Sequence, residues 1–206
     1  MSNNKIILPS SFFAPPLYYS ILFNSPDCII DVNEYYIKQS VRSRFSIYGA
    51  NGKLDLSVPK VRKKSSKTKM KDIQICYAEP WQKKHWKSIT SCYNSSPFFE
   101  YYKDKFENIF KIKEKYLLDL NNKSLDLIMQ ILKADRNINF STQYQSNFSD
   151  NDLRSSSFKS KNIIKYDQVF STNHGFINNL SIIDLIFNTG PESMSFINNL
   201  YKPKVK

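Results

Sequence analysis

Only two histidines occur in the 206 residues, His85 and His174. They are the side chains whose ordinary pKa lies near neutrality, and so the natural proton carriers of this chain. His85 sits in PWQKKHWKSITSCYNSSPFFEYY, Pro80 to Tyr102, which also holds both tryptophans and the densest run of aromatics. His174 precedes Gly175 in a dipeptide that suits a tight turn. An imidazole beside cationic groups can take a proton from an attacking hydroxyl or amine while arginine or lysine holds a phosphate. The cations placed for this are Lys38, Arg42 and Arg44 in EYYIKQSVRSRFSIYG. In an extended segment Arg42 and Arg44 point to the same side, which favours a shared anion pocket. Trp81, Trp86 and Tyr93 are candidates to stack a sugar or a base, and Asn94 completes the candidate substrate-binding set.

A plainer reading accompanies each of these. His85 serves equally as a structural histidine on the buried edge of a core helix, and His174 as a turn residue. The arginines serve equally as a solvated charged edge. A cysteine–histidine nucleophile on α-helical spacing is excluded for His85 and Cys92. They are seven residues apart, about 10 Å along a helix. His174 reaches a cysteine only through a tertiary contact that the sequence does not reveal.

Elements must position these groups. Lys5 to Leu8 reads as a short strand ending at Pro9, followed by the loop SSFFAPP and a helix from Pro16 to Asn24. Asp27 to Val32 reads as a buried strand. Strand, loop, helix, strand opens an α/β unit, and ligands in such folds often sit at the carboxyl ends of strands. Those ends are the loop from Ser10 to Pro15 and the segment after Asp31. Ala50-Asn51-Gly52-Lys53 signals a hairpin turn, and Leu54 to Val58 alternates as a strand. Lys60 to Lys71 carries seven basic residues and no acid, and reads as a solvated surface loop. Asp72 to Tyr77 reads as another strand.

Pro80 then opens a helix, with Trp81, His85, Ile89 and Tyr93 along one stripe and Lys83, Lys84 and Lys87 largely outside it. It yields near Asn94-Ser95-Ser96-Pro97, and a second helix covers Phe98 to Phe110. Asn121-Asn122 breaks the next apolar segment, leaving a helix from about Ser124. Asn139 to Tyr144 is a short strand. Residues 146–165, polar and serine-rich, are the expected mobile loop. Leu180 to Phe187 is a helix with Leu180, Ile183, Ile186 and Phe187 on its apolar face, Asp184 off that face, and Ser181 or Asn179 as cap. Asn188-Thr189-Gly190-Pro191 stops it. Residues 200–206 read as a basic tail. The fold class expected is α/β. A mostly parallel or mixed sheet fills the N-terminal half of one compact domain over residues 1–206, helices pack around it, and the C-terminal part is mainly helical.

Composition bounds the function. Hydrophobic residues at 41% can bury a core large enough to outweigh chain entropy. Only four glycines are present, with neither GxGxxG nor GxxxxGK[ST], so no cofactor is identified. The formal charge of +12 usually points to an anionic partner. It is discounted here, because the chain is rich in Lys, Asn, Ile, Tyr, Phe and Ser, the residues of AT-rich codons. No nucleic-acid-binding signature supports a nucleic-acid partner. Cys28, Cys76 and Cys92 are sparse, with no CxxC, which fits reduced thiols rather than disulfides or a metal site. Pro9, Pro15 and Pro16 interrupt the N-terminal apolar run, so it is not read as a signal peptide, and no apolar stretch is long enough to span a membrane.

The order of motifs resembles a known family. FFAPPLYYS, KQSVRSRFSI, ANGKLDLSVP, then W…HW with CYNSSPFFEYY, then HGFINNLSIIDLIFNTGPES are similar to the WbqC-like family from about Leu8 to Ser193. LSIIDLIFNTGPES is the most specific part. The resemblance implies a bacterial cytoplasmic protein tied to O-antigen or other surface-polysaccharide biosynthesis, and supplies no catalytic residue to copy. Relatives usually read Arg-Asn-Arg where this chain has Arg42-Ser43-Arg44, and many carry a longer segment before the final His-Gly turn. Two function classes follow, beside a minor third in which the basic segment Lys60 to Lys71 binds nucleic acid. One is a transferase acting on a nucleotide-activated sugar or its acyl or aminoacyl substituent, with His85 and His174 as catalytic candidates and a small-molecule substrate such as a nucleotide sugar. The other is a non-catalytic partner of glycan-biosynthesis proteins.

Overall fold

A computed structural model describes residues 5–62, 67–146 and 151–202. Its organising sheet is parallel and three-stranded. Strand β1 (Ile6–Pro9) pairs with β2 (Cys28–Asp31), register Ile6 to Cys28, and β2 pairs with β5 (Asn139–Phe140). Helix α1 (Pro16–Asn24) bridges the first two strands. Its first residue is proline, whose missing N–H costs nothing in an opening turn. Parallel strands are usually covered on both faces, and all four residues of β1 are buried.

A hairpin stands beside this sheet. Strands β3 (Arg44–Gly49) and β4 (Gly52–Ser57) run antiparallel, with Arg44 opposite Ser57. The turn is made by Ala50 and Asn51, and Gly52 sits at φ +98°, where a side chain is disfavoured. Against the hairpin lies α2 (Trp81–Tyr93), followed by α3 (Phe99–Lys111) and α4 (Leu117–Leu132). The chain closes with the one-turn helix α5 (Ser171–His174), then α6 (Ile182–Thr189) and α7 (Ser193–Leu200). A common hydrophobic cluster runs from Ile6 through Phe12, Phe45, Phe106 and Ile128 to Ile197. The α/β class, the N-terminal sheet and the helical C-terminal part are those expected from the sequence.

Three elements differ from that expectation. Asp72 to Tyr77 forms no strand: a 3-10 turn covers Met70–Asp72, and beyond it only single bridges, Lys60 with Ile75 and Gln74 with Tyr116, hold the segment. Helix α4 is not broken at Asn121-Asn122. The Asn121 amide donates to Ser10 Oγ and to the Arg42 carbonyl, each at 3.0 Å, so it does not compete for its own helix backbone. Asp184 lies inside the core rather than off the apolar face of α6. The cap and the stop of α6 are as expected. Ser181 Oγ accepts the Ile183 N–H, and Gly190 at φ +51° ends the helix before Pro191. The sequence reading did not anticipate α7, which restarts at Ser193 and packs on α1, where Ser20 Oγ donates to the Ile197 carbonyl at 2.5 Å.

In the serine-rich segment, Arg154 and Phe158 are buried, and Phe158 packs edge-on to Tyr18. The expected basic loop, the mobile loop and the basic tail fall partly outside the described residues, at 63–66, 147–150 and 203–206.

Candidate functional site

Helix α2 carries the histidine that faces open space. Four-residue spacing places Trp81, His85, Ile89 and Tyr93 on its buried stripe, with Lys83, Lys84 and Lys87 exposed. The stripe is not apolar throughout. At its N-terminal end His85 meets Trp81 at 5.2 Å between ring centroids, with Phe45 and Phe110 edge-on at 6.0 and 6.5 Å. These aromatic walls desolvate the imidazole and push its pKa down to about 4. At pH 7 the ring is therefore neutral. His85 Nδ1 and Trp81 Nε1 are both buried, and neither has a hydrogen-bond partner among the described residues. Buried polar atoms are rarely left so, because each forgoes a hydrogen bond it had in water.

Both residues line a hollow of about 390 Å³. Its other walls come from Ser57 and Pro59 at the end of β4, from Cys76, Ala78 and Glu79 in the segment leading into α2, and from Lys84. Glu79 accepts an ion pair from Lys84 at 2.7 Å, and that contact holds its carboxyl below the usual range. Strand register puts Arg44 directly across from Ser57, and Arg44 Nε donates to Ser57 Oγ at 3.2 Å. The hollow thus has a neutral imidazole, an indole ring, a free thiol, a carboxylate–ammonium pair, and a guanidinium behind a serine hydroxyl.

The remaining candidates are distributed otherwise. Arg42 does not share a surface with Arg44. It precedes β3 in a turn, is fully buried, and forms a bidentate pair with Glu34, Nε to Oε1 at 2.8 Å. Burial pushes the Glu34 carboxyl up to about 7, while the Arg42 guanidinium pulls the other way. Arg42 Nη2 also donates to the Arg154 carbonyl at 3.0 Å. Lys38 is exposed in the preceding loop. Trp86 is half-buried, stacked on Phe99 and Phe110, and borders a separate groove with Tyr77, Lys83 and Glu107. Tyr93 is wholly buried: its hydroxyl donates to Asp184 at 2.8 Å and accepts the Tyr48 N–H at 3.0 Å. Asn94 caps the end of α2 at the surface. His174 is exposed at the end of α5. Its Nε2 lies 2.6 Å from the Ala50 carbonyl, so Nε2 carries the proton and donates. The imidazole braces the hairpin turn.

The carboxyl ends of the parallel strands are filled from within. Asp31 at the end of β2 pairs with Arg154 at 2.7 Å and accepts from Ser141 Oγ at 2.7 Å, and Arg154 also pairs with Asp152. Phe12 and Phe13 from the first loop are buried in the core. Among the described residues no group of three or more His, Cys, Asp and Glu side chains is arranged to hold a metal ion.

Sequence reasoning missed Cys76, Ser57 and Glu79 as neighbours of His85. They come from segments 6 to 28 residues away, and only the hairpin's packing on α2 joins them. Asp184 was also missed, because a lone carboxylate among isoleucines gives no sign of its buried tyrosine partners.

The family model described as the WbqC-like protein family matches residues 10–156 and 142–196. No curated protein and no solved structure matches the chain.

Proposed function

The chain belongs to the WbqC-like protein family, and on that premise we propose that it is a cytoplasmic transferase of bacterial surface-polysaccharide assembly. It acts on a nucleotide-activated sugar or on the acyl or aminoacyl group added to one. One observation carries this reading: a neutral, buried imidazole with an unpartnered nitrogen on the wall of a hollow of about 390 Å³.

Neutral His85 carries one ring nitrogen able to accept a proton, and the residue lines the hollow. A substrate hydroxyl that reaches that nitrogen from the hollow donates its proton to the imidazole. That arrangement prepares the oxygen to attack an electrophilic carbon. The O–H bond breaks toward His85, the new C–O bond forms, and the leaving group departs with its electron pair and recovers the proton. An anionic substrate beside the ring raises its basicity from about 4 toward neutrality, the direction that proton transfer requires.

The test compares cells lacking the protein, cells restored with the native chain, and cells restored with His85→Gln, by surface-glycan composition and protein level. Native-level His85→Gln protein with glycans like those of the lacking strain supports the transferase. Full restoration by His85→Gln, with glycans altered in the lacking strain, assigns the chain to a non-catalytic role instead.

A further inference from the structure

A second hollow adjoins the first along α2. It measures about 530 Å³ and is lined by the hairpin from Gly49 to Leu54 and by Lys84, Lys87, Ser88, Ser91 and Cys92. Lys84 lines both hollows. Three lysines line the second one, Lys53, Lys84 and Lys87, and no acidic side chain does among the described residues. Lys53 is only loosely engaged, 3.6 Å from Asp55, and both groups are about half exposed. Lys87 is ion-paired to none of the described residues.

We propose that this lysine-lined hollow binds the diphosphate of the substrate whose reacting group lies at His85. The inference rests on the transferase reading and adds the substrate class: a diphosphate ester. Three features argue for it. The cations converge from two elements, the hairpin and α2, so their charges add over one concavity rather than over a flat face. Ser91 adds a hydroxyl to the lining, while Ser88 Oγ donates to the Lys84 carbonyl at 3.1 Å, and hydroxyls and ammonium groups together recognise phosphate oxygens. The hairpin tip is held in place by His174, which donates to the Ala50 carbonyl. That contact gives the second imidazole a positioning role, fixing the wall of the phosphate hollow while His85 faces the reacting group in the other. Lys84, released from Glu79 when phosphate arrives, is the link between the two.

The experiment measures binding of inorganic pyrophosphate and of uridine diphosphate to the full chain by isothermal titration at fixed, low ionic strength. Variants are Lys87→Ala, Lys53→Ala with Lys87→Ala, His85→Gln, and Lys83→Ala as a control for net charge on the same helix. Expected results are saturable binding of both probes, a loss of about tenfold for Lys87→Ala and a larger loss for the double variant. Lys83→Ala and His85→Gln should stay within about twofold of the native chain. Absence of saturable binding of either probe overturns the inference, and so does equal weakening by Lys83→Ala and Lys87→Ala. Because His85→Gln should keep the pyrophosphate site, the phosphate hollow and the transferase reading fail in different arms. Binding that survives with unaltered glycans removes only the catalytic assignment.

Discussion

At the scale of residues, burial decides which groups carry charge. His85 is held neutral by aromatic walls, with its pKa near 4 against an ordinary value of 6.5. The folded state therefore binds fewer protons at this residue than the unfolded chain does between those values. Its contribution to stability is complete above pH 6.5 and is lost as the pH falls toward 4. The shift corresponds to about 3 kcal/mol. We expect the native chain to lose more stability than His85→Gln between pH 7 and pH 4.5, in denaturant melts at matched salt. Parallel losses in the two would show that the ring is not shielded. Arg42 is the opposite case, a charge buried only because Glu34 accompanies it. Arg42→Met leaves that carboxylate unpaired, and should cost about 3–5 kcal/mol. Arg42→Met with Glu34→Gln should recover part of the loss.

At the scale of elements, backbone chemistry was the legible part. Prolines marked the starts of α1 and α2, Gly52 marked the hairpin, and Gly190-Pro191 marked the end of α6. Periodicity gave the buried stripe of α2. Legibility failed where a tertiary partner decided the outcome. Asn121 stays helical because Ser10 and the Arg42 carbonyl, distant in sequence, take its amide. Asp184 is buried because Tyr93, Tyr166 and Gln168 donate to it, at 2.8, 2.6 and 2.7 Å. Gly190 does more than end a helix. A Cβ there would lie 2.4 Å from the Phe98 ring, at a φ of +51° that L residues rarely adopt. Gly190→Ala is therefore expected to destabilise by about 1–3 kcal/mol, read as a lowered thermal midpoint. An unchanged midpoint would mean that the junction of α6 and α2–α3 can slide.

At the scale of the molecule, one buried network ties the modules together. The Asp184 carboxylate joins α6 to α2 through Tyr93, to the hairpin through the Tyr48 N–H on that same hydroxyl, and to the segment before α5 through Tyr166 and Gln168. Asp184→Asn replaces one acceptor oxygen by an NH2 group, which then faces either the Tyr93 hydroxyl or the Tyr166 and Gln168 donors. It should cost on the order of 3 kcal/mol and lower the cooperativity of unfolding, which calorimetry reads directly. The same packing brings β4 and the Cys76–Glu79 segment against His85, so the site exists only in the assembled fold, and no stretch of sequence displays it whole. With only two histidines in the chain, imidazole NMR reads this site almost without overlap, and His85→Gln assigns the signals. On titration from pH 8 to pH 4, the His85 ring should stay neutral until about pH 5, and added nucleotide sugar should shift its resonances and raise its pKa. A ring that titrates near pH 6.5 and ignores the nucleotide sugar would contradict the account.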